Sequence, residues 1–226
     1  MARRQLARHA SPRSDQSVED GGESKSEQTR KRILDAAAHI LSVKGYSGLR
    51  LTDVASVAEV QAPAIYYYYA SREELIEEVM WTGTAETREH TVAALEVLPA
   101  TSEPKDRLLT AVEAHLRHML EISDYSKAAI RNAGQVPESI RKRQMREEEK
   151  YGELWRRLLS DLSRSGELRA EYDPYTAQML MMGSLNWVLE WWDPRRSSVD
   201  SLVVNALAFV ASALFGGQTA RSKRSR

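Results

Sequence analysis

The chain has 226 residues, 42% of them hydrophobic, with 32 acidic and 32 basic side chains, which is enough to bury one or two cores. It contains no cysteine, which excludes a disulfide framework, a thiolate metal site and a thiol nucleophile. Zero net charge disfavours sequence-blind attachment to nucleic acid, and no apolar stretch follows Arg3, Arg4 and Arg8 to make a secretory signal.

Residues 1–27 mix Ser, Gly, Pro and charge without helical or alternating period, as an unfolded tail does; Arg3, Arg4, Arg8 and Arg13 precede Asp15, Glu19, Asp20 and Glu23. Such a basic arm is either solvated or enters a DNA minor groove, and the basic C-terminal residues 217–226 invite the same two readings. Between the tails, apolar residues recur every three or four positions and breaks fall at Gly and Pro, so the expected class is all-α. A first helix buries Ile33, Ala36, Ala37, Ile40 and Leu41 and stops near Lys44 and Gly45. A second covers about 51–58 with Thr52 as its cap, a third about 63–69, and a fourth follows Ser71, which forms a capping box with Glu74. Pro99 and Pro104 precede an amphipathic helix at about 105–122 and a short one at about 125–133. Pro137 opens a long charged helix closed by Gly166, Asp173 and Pro174 start another reaching about 192, and the last covers about 199–215. The apolar run at 202–215 is too short to span a bilayer and reads as a buried helix.

The second and third helices, joined by a tight turn, make a helix-turn-helix, and the third ends in four consecutive tyrosines, Tyr66 to Tyr69. At about 100° per residue, Ile65 and Tyr69 share the inner face. Pro63 and Tyr67 point the opposite way, flanked by Ala64 and Tyr66. Four successive residues sweep about 300° of helix surface, so a core stripe cannot hold all four tyrosines. Residues 25–70 carry six basic side chains (Lys25, Arg30, Lys31, Arg32, Lys44, Arg50) against four acidic ones (Glu27, Asp35, Asp53, Glu59), a modestly basic head. On a recognition helix, Ala64 suits a thymine methyl, Tyr67 a base edge or phosphate, and Gln61 an adenine.

TRKRILDAAAHILSVKGY, LTDVASVA and PAIYYYYASREEL, in that order, resemble the DNA-binding domain of the tetracycline-repressor (TetR) family of bacterial regulators over residues 29–75. Glu59 stands where that family usually has glycine, in a turn that often needs a left-handed backbone, and Tyr68 where it often has histidine. The resemblance implies nine helices, divided here as a tail at 1–27, a helix-turn-helix domain at 28–75, a ligand-binding and dimerisation domain at 76–216 and a basic tail at 217–226. It implies DNA contacts from Thr52, Gln61, Ala62, Pro63, Ala64, Tyr66, Tyr67, Tyr68 and Arg72, with Thr52, Tyr66, Tyr68 and Arg72 as backbone clamps.

One recognition helix reads few base pairs, so a homodimer spanning two half-sites is expected. Leu180, Met181, Ser184 and Val188 with Leu202, Ala206, Phe209 and Ala213 supply its face, or else an internal core; in the resembling family the last two helices form a four-helix bundle. In MLMMGSLNWVLEWWDPRR, large aromatics sit beside methionines, a pattern of core packing or of an apolar ligand pocket. It resembles actinobacterial regulators of fatty-acid and steroid breakdown that sense acyl-CoA thioesters. The expected pocket groups Trp155, Met179, Met182, Gly183, Asn186, Trp187 and Trp191, with Arg131, Asn132 and Gln135 as polar contacts. His115 and His118 at i, i+3, with Glu121 another turn along, could geometrically share a metal, but two surface histidines are the blander reading, and no metal or cofactor is expected. No phosphate loop, nucleophile elbow or helical metalloprotease motif is present. The expectation is thus a cytoplasmic, non-enzymatic, DNA-binding repressor, released from its operator by a small molecule such as an acyl-CoA. The rivals are a multidrug-sensing repressor of an efflux gene and, from another class, an acyl-CoA or lipid-handling enzyme.

Overall fold

Ser24 opens the first helix: its hydroxyl accepts the Glu27 amide at 3.2 Å while the Glu27 carboxylate accepts the Ser24 amide at 2.8 Å, a closed capping box. Helix thus begins inside the stretch that composition assigns to the tail. The structure, a computed structural model, describes residues 24–216, so Arg3, Arg4, Arg8, Arg13 and the C-terminal basic tail lie outside the described residues. Nine α-helices follow one another among them: α1 (Lys25–Gly48), α2 (Leu51–Val57), α3 (Ala62–Tyr68), α4 (Arg72–Glu96), α5 (Pro104–Arg117), α6 (Asp124–Asn132), α7 (Lys142–Arg164), α8 (Pro174–Trp191) and α9 (Val199–Leu214). A π-helical turn, His118–Ile122, extends α5, and Ser123 N–H donates back to the His118 carbonyl at 3.2 Å.

Several boundaries differ from the sequence expectation for local reasons. Thr52 does not cap α2: Leu49 is buried, Arg50 is the extended N-cap, and Thr52 already stands exposed in the first turn. The Ser71 hydroxyl caps α4 through the Glu74 amide at 3.0 Å, but the Glu74 carboxylate accepts from Ala70 N–H rather than Ser71. Pro137 sits in a turn closed by Ile140 N–H, so α7 starts only at Lys142. Asp173 behaves as expected, its carboxylate accepting the Tyr175 and Thr176 amides at 3.0 Å.

Two cores result. Ile33, Leu41, Val54, Ile65, Tyr69, Leu75 and Met80 fill the first, with Ala128 and Ala129 of α6 completing it. Leu108, Leu116, Trp155, Leu159, Met181, Leu185 and Val203 build the second. Two helices connect them. α4 contributes Leu75 to Met80 to the first core and Leu95 to the second, and α6 packs against both α1 and α4. The α4–α6 approach requires a glycine, since a Cβ on Gly83 would lie 2.2 Å from the Tyr125 carbonyl oxygen.

The α1–α6 junction has a definite chemistry. Gly45 adopts φ 71° and breaks the helical run, whereas in an unbroken helix Tyr46 N–H would donate to the Ser42 carbonyl. Here Tyr46 N–H donates to Asn132 Oδ1 at 2.8 Å, and the Ser42 carbonyl accepts from Arg131 Nη1 at 3.1 Å. Asn132 Nδ2 also donates to the Leu41 carbonyl at 3.1 Å. Two side chains of α6 therefore satisfy the groups that the kink sets free.

Candidate nucleic-acid interface and effector cavity

The α2–α3 turn is built on Glu59, the one non-glycine residue with positive φ (55°) among the described residues, at the position where the sequence called for a left-handed backbone. α3 then starts with Gln61 as N-cap and a proline in its first turn. Ile65 and Tyr69 anchor it in the core, and Arg30 lies over the Tyr69 ring at 5.1 Å. Burial pushes the Tyr69 hydroxyl up to about 12. Outward stand Gln61, Pro63, Tyr66 (59% exposed) and Tyr67 (82%). Tyr68 is half-buried, its ring edge-on to Tyr67 at 5.0 Å, and Ala62 and Ala64 are partly covered. The exposed side chains from Thr52 across Gln61 and Pro63 to Tyr67 are uncharged and include two aromatic rings. This suits van der Waals and methyl contact in a groove more than charge readout.

Arg72 is placed differently from the expected phosphate clamp. Its Nε donates to the Leu49 carbonyl at 3.0 Å, its Nη2 to the Tyr46 carbonyl, and its guanidinium lies 4.7 Å over the Tyr46 ring. It binds the start of α4 to the α1–α2 loop and holds the head together, because those carbonyls lack helical partners.

Where α4, α5, α6, α7 and α8 converge they enclose a cavity of about 150 Å³. Gly83, Thr84 and Thr87 of α4, Ser126, Ala129 and Ile130 of α6, and Ala133 just past its end form one side. His115, Gln144, Glu148 and Tyr151 with Met182 and Asn186 of α8 form the other. A hydrogen-bonded chain runs through it: His115 Nε2 to Asn186 Oδ1 at 3.0 Å, His115 Nδ1 to Tyr151 Oη at 3.0 Å, and Tyr151 Oη to Thr91 Oγ1 at 2.9 Å. Burial pushes the His115 imidazole down to about 4, outweighing the bond to Asn186, so the ring is neutral at pH 7. A neutral ring carries one proton, so His115 donates to one of Asn186 and Tyr151 and accepts from the other. Burial also raises the Glu148 carboxyl, with Arg141 opposing.

Two models of one family match the chain. "Bacterial regulatory proteins, tetR family" matches residues 33–79, and "Tetracyclin repressor-like, C-terminal domain" matches 101–210. The chain belongs to the tetR family. A curated relative, the uncharacterized HTH-type transcriptional regulator YdgC of Bacillus subtilis (strain 168), is 30% identical over 105 residues, 46% of this chain and 54% of that protein. The chain spans about half the length of the curated relatives it matches. Among solved structures, AibR in complex with isovaleryl coenzyme A and operator DNA superimposes with a TM-score of 0.73 at 17% identity, covering 80% of this chain and 97% of that one. The ketosteroid transcriptional regulator KstR2 of Mycobacterium tuberculosis gives 0.71 at 17% identity, covering 83% and 95%.

Within the tetR fold, the sequence-based pocket is only partly assembled. Met182 and Asn186 line the cavity, and Trp155 is buried behind it, edge-on to His115 and 5.7 Å from the Tyr151 ring. Arg131 is spent on Ser42, Leu189 and Glu190, and Asn132 on α1, while Gln135 is exposed with its amide on the Arg131 carbonyl. Met179, Gly183, Trp187 (64% exposed) and Trp191 (55%) lie on the outer face of α8, turned from the cavity. α8 is apolar around most of its circumference, so composition could not set its phase. His115 and His118 are buried, not surface residues. Sequence reasoning missed the cavity residues His115, Gln144, Glu148 and Tyr151, whose polar character looked like solvated helix surface.

The expected dimer face is similarly redistributed. Leu180, Ser184 and Phe209 are exposed, Ala206 and Ala213 half-covered, and Met181, Val188 and Leu202 buried in the protomer's own core. The open apolar surface of the last two helices includes Tyr175, Met179, Leu180, Trp187 and Trp191 with Val204 and Phe209.

Proposed function

We propose that the chain is a ligand-responsive transcriptional repressor that binds operator DNA as a homodimer and lets go when a small molecule fills the cavity. The observation carrying this reading is that the cavity shares its walls with the two helices that hold the DNA-reading head. Thr84 and Thr87 belong to α4, whose first turns lie in the head core, and Ala129 and Ala133 neighbour the α6 side chains that bind the α1 kink. An effector that prefers a displaced α6 changes the spacing of the two recognition helices. Couplings of this kind are typically about 1–3 kcal/mol. Tyr67, Gln61, Pro63 and Ala64 read the groove, with Thr52, Tyr66 and Tyr68 flanking them. The exposed Trp187, Trp191, Leu180 and Phe209 cover each other across a two-fold axis, as apolar surface of this extent does in oligomers.

For the effector we favour a short-chain acyl-CoA thioester. An engineered cavity of about 150 Å³ holds benzene, so a branched acyl group fits where a steroid skeleton does not. The structural neighbour solved with isovaleryl coenzyme A and operator DNA supports that class. Glu148 in the wall favours a second reading, a cationic drug-like effector. The test is to select operator fragments from genomic DNA and titrate the complex in gel shifts. Release by isovaleryl-CoA at micromolar concentration is expected. Operator binding indifferent to every thioester but relieved by hydrophobic cations would discard the acyl-CoA reading.

A further inference from the structure

Arg131 stands near the end of α6 and divides its guanidinium between two other helices. Nη1 donates to the Ser42 carbonyl of α1 at 3.1 Å, Nη2 to the Leu189 carbonyl of α8, and Nε to Glu190 Oε1 at 3.1 Å. Both carbonyls are orphans of helix geometry. The kink at Gly45 turns Tyr46 N–H away from Ser42 to Asn132, and Leu189 lies in the last turn of α8, where no backbone N–H follows to meet it. α1 packs on α2, α4 and α6, whereas α8 packs on α6, α7 and α9, so α6 is the helix that both pack on. Asn132 already anchors α6 to α1. The distinctive bonds of Arg131 are those that carry the anchor on to α8.

We infer that Arg131 is a positioning residue that sets the distance between the two recognition helices of the dimer, and with it the half-site spacing the protein accepts. The inference rests on the reading of the chain as a homodimeric operator binder. On that reading α8, with its open apolar surface, is fixed to the two-fold axis, while α1 carries the helix-turn-helix through their shared core. The Arg131 fork ties one to the other, backbone to backbone, and a planar guanidinium holds both sides in a geometry that the single ammonium of a lysine does not. Half-sites lie about 34–36 Å, or about 10–10.5 base pairs, apart for each helical turn. One base pair more or less therefore moves the second half-site by about 3.4 Å and turns it by about 35°. A stiff link between α1 and α8 rejects that mismatch, and a slack one absorbs it. Ile130 and Ala133, on either side of Arg131 in sequence, line the cavity, so an occupant that displaces α6 acts on the same link.

Operator fragments selected from genomic DNA with the full-length protein are resynthesised with one base pair added or removed between the half-sites. Affinities are compared by fluorescence anisotropy at one salt concentration, at protein concentrations where analytical ultracentrifugation shows each variant dimeric. Wild type should favour its own spacing by at least about tenfold. In Arg131→Lys, which keeps the charge, and in Arg131→Met, that preference should fall to about threefold or less. A variant that is merely less stable binds every spacing less in the same proportion, so the ratio separates positioning from folding. A preference that stays above about threefold in either variant overturns the inference and leaves the dimer reading standing. A wild type that selects no operator, or whose preference for one spacing is under about tenfold, removes the spaced-half-site reading and the inference with it.

Discussion

Replacing Asn132 by leucine tests the link between the ligand domain and the DNA-reading head. The side chain is fully buried and makes the bonds to Tyr46 N–H, the Leu41 carbonyl and the Ala128 carbonyl at 2.8, 3.1 and 2.9 Å. Leucine fills a similar volume, so the cost is mainly polar. Tyr46 N–H is left without a partner at a kinked helix end, about 1–3 kcal/mol, and loss of the bond to Leu41 adds about 1 kcal/mol. A total of roughly 2–4 kcal/mol in a chain of this size lowers Tm by on the order of 5–15 °C. Urea unfolding followed by circular dichroism at fixed protein concentration measures it, with Gln135→Ala, exposed and bonded only to the Arg131 carbonyl, as a control expected within about 0.5 kcal/mol of wild type. If Asn132→Leu unfolds within about 0.5 kcal/mol of the control, the α6 side chains do not hold the α1 kink and the proposed route from cavity to head loses its basis.

Tyr67→Ala should leave Tm unchanged, since the ring is exposed, and weaken operator binding by about tenfold or more in fluorescence anisotropy. Arg72→Ala should do the reverse at first, costing about 2–3 kcal/mol of stability through its bonds to backbone carbonyls. Gly83→Ala forces α6 back from α4 against backbone atoms of Tyr125 and Ser126, and about 1–3 kcal/mol should be lost in chemical denaturation. His115 titrates at about 4 in the folded chain and at its ordinary 6.5 when unfolded, so the unfolded state binds the extra proton between those values. Stability should therefore fall by on the order of 1–2 kcal/mol from His115 as pH drops from 6.5 to 5, and by a like amount from His118, which burial and the neighbouring His90 also push down to about 4. His115→Phe should remove its own share of that slope and leave the share of His118, while losing stability at pH 7 through its two hydrogen bonds.

The helices and the head were legible because their signals are local. The phase of α3 followed from angle alone: Ile65 and Tyr69 inward, Tyr67 outward. Glu59 likewise stood out, because the position demands a backbone that glycine adopts most easily. The cavity was not legible. Gln144 and Glu148 lie on a helix dense in charge, QMREEEK, where nothing in the spacing distinguishes the two that line the cavity from Glu147, which is buried in ion pairs with Arg88 and Lys150, or from the rest. Arg131 and Asn132 looked like free polar handles, yet their partners are backbone groups about 90 residues earlier that only a kink at Gly45 makes available. α8 and α9 show the complementary difficulty: with apolar residues on nearly every side, sequence pattern cannot divide the face packed within the protomer from the face left open.

The distribution of the tryptophans gives this chain separate optical reporters. Trp155 is shielded from solvent and touches His115 and Tyr151, both in the cavity wall. Trp187 and Trp191 lie open on α8, where an aqueous quencher such as acrylamide reaches them. The quenchable fraction of the emission should shrink as protomers associate. With the half-buried Trp81 and Trp192 replaced by phenylalanine, the unquenchable, blue-shifted part comes from Trp155 and should respond to what enters beside Tyr151, so assembly and effector occupancy can be followed in one cuvette without a label.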